Sequence, residues 1–92
     1  MIKSFRDKAL ARFRATGEVR GLKVANVGRL QRLLDALEQA RRPEAMNVPG
    51  LGFHQLKGRR AGTYALTVSG NWRLTFRGDR DGAADVNLED YH

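Results

Sequence analysis

Asp90-Tyr91-His92 sets a carboxylate, a phenol and an imidazole side by side at the end of the sequence, and His54-Gln55-Leu56-Lys57-Gly58 adds a second imidazole and an ammonium upstream. Between them a turn at Ser69-Gly70-Asn71 leads into Trp72-Arg73-Leu74-Thr75-Phe76, which supplies a guanidinium. Groups that accept a proton, groups that give one and cations that hold an anion are then available together. That combination suits chemistry at phosphate.

The charge points the same way. Seventeen Lys and Arg against ten Asp and Glu give a net charge of +7 over 92 residues, as expected for a partner with a phosphate backbone. Arg outnumbers Lys, which favours planar, two-pronged phosphate contacts. The excess is uneven: residues 1–60 hold fourteen basic and five acidic groups, residues 61–92 three and five. A basic face can also serve only to keep a small protein in solution. No cysteine is present, so disulfides, thiolate nucleophiles and Cys-type zinc sites are excluded. The start lacks the apolar stretch of a signal peptide, and no apolar run approaches the roughly 20 residues that span a bilayer. The expectation is a cytoplasmic protein without a membrane partner.

These groups need a scaffold, and the length allows one domain, residues 1–92, with a single core. Met1–Ser4 reads as a short strand. Ser4 with Asp7 three residues on resembles a helix entry, Phe5, Ala9 and Phe13 recur every fourth residue, and Gly17 offers an exit, so a helix is expected from Phe5 to about Ala15. Val24, Val27, Leu30, Leu33, Leu34 and Leu37 form one apolar stripe of a second helix, which Pro43 ends near Arg41. Beyond Pro49-Gly50-Leu51-Gly52 the period changes to two, with strands expected at Phe53–Leu56, Tyr64–Val68, Trp72–Arg77 and Ala84–Leu88.

A two-residue Gly70-Asn71 turn would set Val68 opposite Arg73 and mix apolar with charged groups. A three-residue Ser69-Gly70-Asn71 loop instead pairs Val68 with Trp72, Leu66 with Leu74 and Tyr64 with Phe76. The opposite face then carries Thr67, Arg73, Thr75 and Arg77, open to solvent. The fold class is α+β, with helices on one side of a mainly antiparallel sheet of four to five strands.

Each candidate has a bland reading beside the chemical one. Phe53 and Leu56 point to opposite faces, so the pattern cannot orient His54, and an isolated histidine is commonly structural. Lys57-Gly58-Arg59-Arg60 is either a solvated turn or a phosphate clamp at the sheet's rim. Arg73 either meets Glu89 or Asp90 on a neighbouring strand or awaits an anion. Tyr91 and His92 would fray as a loose tail, except that Val86 and Leu88 alternate with polar residues as in an ordered strand.

Together the groups suit cleavage of RNA through its own 2′-hydroxyl, for which DNA has no counterpart. No metal or other cofactor is expected. Asp79, Asp81 and Asp85 read as a hairpin loop around Gly78 and Gly82. Phosphate-loop, dinucleotide and HExxH motifs are absent.

The chain resembles the HigB-type toxins of the RelE superfamily through Met1-Ile2-Lys3-Ser4-Phe5, His54-Gln55-Leu56-Lys57-Gly58, Asn71-Trp72-Arg73-Leu74-Thr75-Phe76 and the terminal Asp90-Tyr91-His92. It departs from their pattern at Gln55, at Tyr64 and in the Gly- and Asp-rich Arg77–Ala84 loop. The resemblance implies two helices on one side of a curved sheet with mRNA on the other, cleavage of mRNA in the A site of the small ribosomal subunit, and neutralisation by a HigA-type antitoxin. That antitoxin would carry a helix-turn-helix domain through which the complex binds its own operator DNA. It also implies that His54, Asp90, Tyr91 and His92 form the acid–base group and that Lys57 and Arg73 stabilise phosphate. From charge, Arg59, Arg60, Arg77, Arg6, Lys8, Arg12, Arg29 and Arg32 are expected to contact RNA. A non-catalytic RNA-binding module and a free-standing metal-independent RNase are the competing readings.

Overall fold

The computed structural model describes residues 1–91. The first helix, α1 (Lys8–Thr16), begins three residues later than the sequence pattern suggests. Asp7 is its cap, since Oδ1 accepts from the backbone N–H groups of Ala9 and Leu10 at 2.9 and 3.2 Å and satisfies donors that the first turn leaves open. Ser4 is engaged elsewhere, its Oγ accepting from the N–H of Asp85 at 2.9 Å. Gly17 ends α1 as expected, in a left-handed conformation with its N–H on the Phe13 carbonyl.

Helix α2 (Val27–Gln39) is capped by Asn26, whose side chain accepts from the Arg29 N–H. Val24 therefore lies ahead of the helix, although it still enters the core. Leu30, Leu33, Leu34 and Leu37 are all buried on one face. Pro43 opens a short 3₁₀ turn to Met46, which places Met46 against the same core.

The sheet holds β1 (His54–Gln55), β2 (Thr63–Ser69), β3 (Trp72–Asp79) and β4 (Gly82–Asp90), in that spatial order and antiparallel throughout. β1 is shorter than the expected Phe53–Leu56, and the second hairpin extends through what reads as a loop, with Asp79 opposite Gly82. Asp85 is thus a strand residue. Met1–Ser4 forms no strand of its own; the N-terminal segment runs beside β4 through parallel bridges at Ile2–Ala83 and Phe5–Val86. A side chain on Gly82 would collide with the Met1 carbonyl, so only glycine permits this close approach.

The β2–β3 turn corrects the expected loop. Ser69 pairs with Trp72, which leaves a two-residue turn, and a bulge at Val68 absorbs the offset so that Thr67–Arg73, Leu66–Leu74 and Tyr64–Phe76 align. Both helices pack on the face that carries Leu66, Val68, Leu74, Phe76, Val86 and Leu88. At its edge, Tyr64 stacks between Phe53 and Phe76 with centroids 5.6 Å from each. The opposite face is left to polar and charged groups. Thr75 on that face is nevertheless buried, 2 % exposed.

Candidate active site on the open sheet face

Pairing fixes what periodicity leaves open at His54. It stands opposite Ala65, which pairs in turn with Thr75, so His54 projects on the open face and is exposed. Phe53 packs against the core, while buried Leu56 lies under the open face. A cavity of about 260 Å³ brings His54, Arg73 and Tyr91 together over a floor of Leu56, Ala65, Thr67 and Gly52.

Each of the three candidate side chains is held by its backbone setting. The loop before His54 lies tightly on β2: Thr67 N–H donates to the Leu51 carbonyl at 2.9 Å. Arg29 bonds the Thr67 carbonyl through Nε and Nη2 at 3.0 and 2.9 Å, and the Gly50 carbonyl through Nη2 at 2.8 Å. Arg73 donates from Nη1 to the carbonyls of Gly70 at 2.8 Å and Trp72 at 3.2 Å, so the tight turn steers the guanidinium while Nε and Nη2 stay outside that clasp. Tyr91 is anchored, not frayed: its N–H donates to the Asn71 carbonyl at 2.7 Å.

Lys57 and Asp90 lie near this cavity in sequence but do not line it. Lys57 precedes the 3₁₀ turn Gly58–Arg60 and is exposed. Asp90 pairs with Trp72 at the end of β4. His92 lies outside the described residues.

A second cavity of about 260 Å³ follows further along the same face, where Arg6, Arg59, Arg60 and Arg77 meet Thr75, Asn87, Asp85 and Glu89. Arg60 binds Glu89 through both terminal nitrogens at 2.7 and 2.6 Å, and Thr75 Oγ1 donates to the same carboxylate at 2.6 Å. The Arg60 hydrogen bonds, seconded by Thr75, hold the Glu89 carboxyl below the usual range against the opposing effect of burial. Arg77 Nε meets Asp85 Oδ2 at 2.7 Å, which raises the Arg77 pKa further. Glu89 thus engages Arg60, not Arg73.

The other basic residues divide. Arg12 donates to the Arg20 carbonyl and lies 3.8 Å from Glu18, and Arg29 is occupied by the Thr67 and Gly50 carbonyls. Among the described residues, Lys8, Arg32, Arg6 and Arg59 take part in no ion pair. Glu89, Thr75 and Asn87 escape a reading of the sequence as site residues. The alternation of Asn87 and Glu89 with Val86 and Leu88, and of Thr75 with Leu74 and Phe76, is the signal, but using it requires the β3–β4 register. No three of His, Cys, Asp and Glu gather as a metal would need among the described residues, and no helix there is long and apolar enough to cross a membrane.

Two helices on one side of an antiparallel sheet, with imidazole, phenol and guanidinium groups gathered on the other, make an α+β domain of RelE-like fold. The family model for the RelE-like toxin of the type II toxin–antitoxin system HigB matches residues 3–92. An endoribonuclease HigB from Proteus vulgaris is 37 % identical over 92 residues, covering 100 % of both chains. The chain belongs to the HigB-like toxin family.

Proposed function

We propose that this toxin is an endoribonuclease that cuts mRNA in the ribosomal A site and so stops translation. The cavity that gathers His54, Arg73 and Tyr91 on the helix-free face carries the reading, and the name of the Proteus relative supports the same reaction class. In the proposed reaction a base takes the proton of the 2′-hydroxyl. The 2′-oxygen then bonds to phosphorus and the bond to the 5′-oxygen breaks, leaving a cyclic phosphate. An acid returns a proton to the departing 5′-oxygen. Arg73 lies where it can offset the charge that builds on the phosphoryl oxygens, with Lys57 as a further cation at the rim. His54, Tyr91, His92 and Asp90 share the proton transfers. No cofactor is invoked.

As a type II toxin the protein has an antitoxin partner and an RNA substrate. We take the antitoxin to be HigA-type, with a helix-turn-helix domain that carries the complex to its operator, and the setting to be the cytoplasm, where mRNA is translated. Primer extension on one mRNA, with purified protein in the presence and absence of translating ribosomes, tests the reading. In-frame cuts confined to ribosomes support it. Equal cutting of naked RNA would indicate a free-standing RNase, and binding without cutting a non-catalytic module.

A further inference from the structure

The second cavity is more ordered than a solvated basic patch. Two of its four guanidiniums are fixed by carboxylates, Arg60 by Glu89 and Arg77 by Asp85, whereas Arg6 and Arg59 meet no acidic partner among the described residues. The cavity therefore keeps an excess of positive charge. Arg77 uses only Nε on Asp85, so its two-nitrogen end lies outside that pair.

The backbone bears a cost to arrange this. β4 bulges between its pairings with Thr75 and Arg77, and Asp85 sits there with φ at 53°, a left-handed conformation uncommon outside glycine. Its N–H is pinned to Ser4 Oγ, and its carboxylate is aimed at Arg77. Strain kept at a non-glycine residue that orients a cation in a cavity suggests a function for that cation.

We propose that this cavity seats a backbone phosphate of the RNA strand, away from the bond being cut, with Arg6, Arg59 and Arg77 as its ligands. The proposal rests on the endoribonuclease reading. Arg73 and Arg77 lie four residues apart on β3, roughly 13 Å at the usual strand rise, so one extended strand can pass over both cavities. Arg60 and Asn87 both hold the wall through Glu89. A dedicated seat outside the reacting centre would fix the register of the strand, so that binding energy far from the chemistry orients the 2′-hydroxyl.

The test is fluorescence anisotropy of the full chain with an oligoribonucleotide of fully methylated 2′-oxygens, which cannot be cut, over a range of salt. Arg59→Ala with Arg77→Ala should weaken binding at least tenfold and lower the salt slope by about 0.7, the loss of one single-strand phosphate contact. Arg20→Ala with Lys23→Ala removes the same charge from exposed positions that do not line the cavity and should do much less. Arg77→Lys should recover part of the loss, and thermal unfolding identifies any variant that fails to fold. Equal losses in both double variants would make the attraction diffuse and overturn the proposal. Competition by inorganic phosphate as strong as that by the oligonucleotide would also overturn it, by assigning the cavity to a small anion. If the wild type cuts mRNA on ribosomes yet does not bind the oligonucleotide, the phosphate seat falls and the endoribonuclease reading stands. If it binds but never cuts, the reaction falls instead.

Discussion

Arg60 and Glu89 meet through two parallel hydrogen bonds at 2.7 and 2.6 Å, and in doing so tie the turn after Lys57 to the strand that delivers Asp90 and Tyr91. One end of the pair is set in a three-residue 3₁₀ turn and the other on β4. With 22 % of the Glu89 side chain exposed, solvent screens the pair only in part. Glu89→Gln should cost about 1–2 kcal/mol at neutral pH, above an exposed pair and below a fully buried one. Urea unfolding checks this. Cleavage should fall as well, because the rim carrying Lys57 loses its tether.

The same pair sets a pH dependence. The Glu89 carboxyl lies below its ordinary value in the folded protein, chiefly through Arg60. Its stabilisation is therefore fully present above the unfolded value of about 4.3 and is lost as pH falls through the depressed folded value. The stability gap between wild type and Glu89→Gln should be constant from pH 7 to about 5 and close in acid. A gap that widens in acid would show that Glu89 is not held as the charged form.

His54→Ala and Arg73→Ala should each reduce the rate of mRNA cleavage by roughly 10²–10⁴ with little change in folding, because both side chains stand on the open face and outside the core. Tyr91→Phe separates two roles: the anchor to Asn71 is a backbone bond and survives, while the phenol is removed. A lowered single-turnover rate with unchanged unfolding would place the hydroxyl in the chemistry. An unchanged rate would restrict Tyr91 to shaping the cavity.

The particulars of this fold are unequally legible in the sequence. Leu30, Leu33, Leu34 and Leu37 announce α2 because a helix buries one stripe, but the start of α1 is hidden. Ser4 matches a helix entry, yet its oxygen is claimed by Asp85 81 positions away, and the nearer Asp7 caps α1. The alignment of Leu66 with Leu74 follows from keeping apolar groups together. The turn does not, since the bulge at Val68 lets a two-residue turn coexist with that alignment. His54, Arg73 and Tyr91 stand out by chemical type. The Arg60–Glu89 pair does not, because it depends jointly on a short turn and on the β3–β4 register.

Gly52 offers a check on how the loop positions His54. Its φ is 65°, and a Cβ there would run into Thr67 Oγ1 on the floor of the cavity. Gly52→Ala should destabilise by about 1–3 kcal/mol through the strained backbone and the clash together. Gly52→Ala with Thr67→Ser keeps the hydroxyl and should not recover, whereas pairing it with Thr67→Gly should relieve the collision and leave the backbone strain at position 52 together with the cost of a glycine inside β2. Thermal unfolding of the three variants distinguishes these contributions.

Arg29 and Arg32 lie one turn apart on α2 but should respond differently. Arg29 is half-buried and closes the gap between α2, the bulged end of β2 and the Gly50 loop with three bonds to carbonyl oxygens. Arg29→Met keeps much of the apolar stem and leaves those carbonyls to water or to nothing, a loss of about 1–3 kcal/mol. Arg32 is exposed and takes part in no ion pair among the described residues, so Arg32→Ala should change stability by no more than about 0.5 kcal/mol. If Arg29 acts by holding the loop that presents His54, Arg29→Met should lower the cleavage rate at saturating ribosomes. If it contacts RNA instead, the variant should chiefly raise the concentration needed for half-maximal cutting and reduce its salt dependence. Stability and saturation curves measured on the same two variants decide between a scaffold arginine and a binding one.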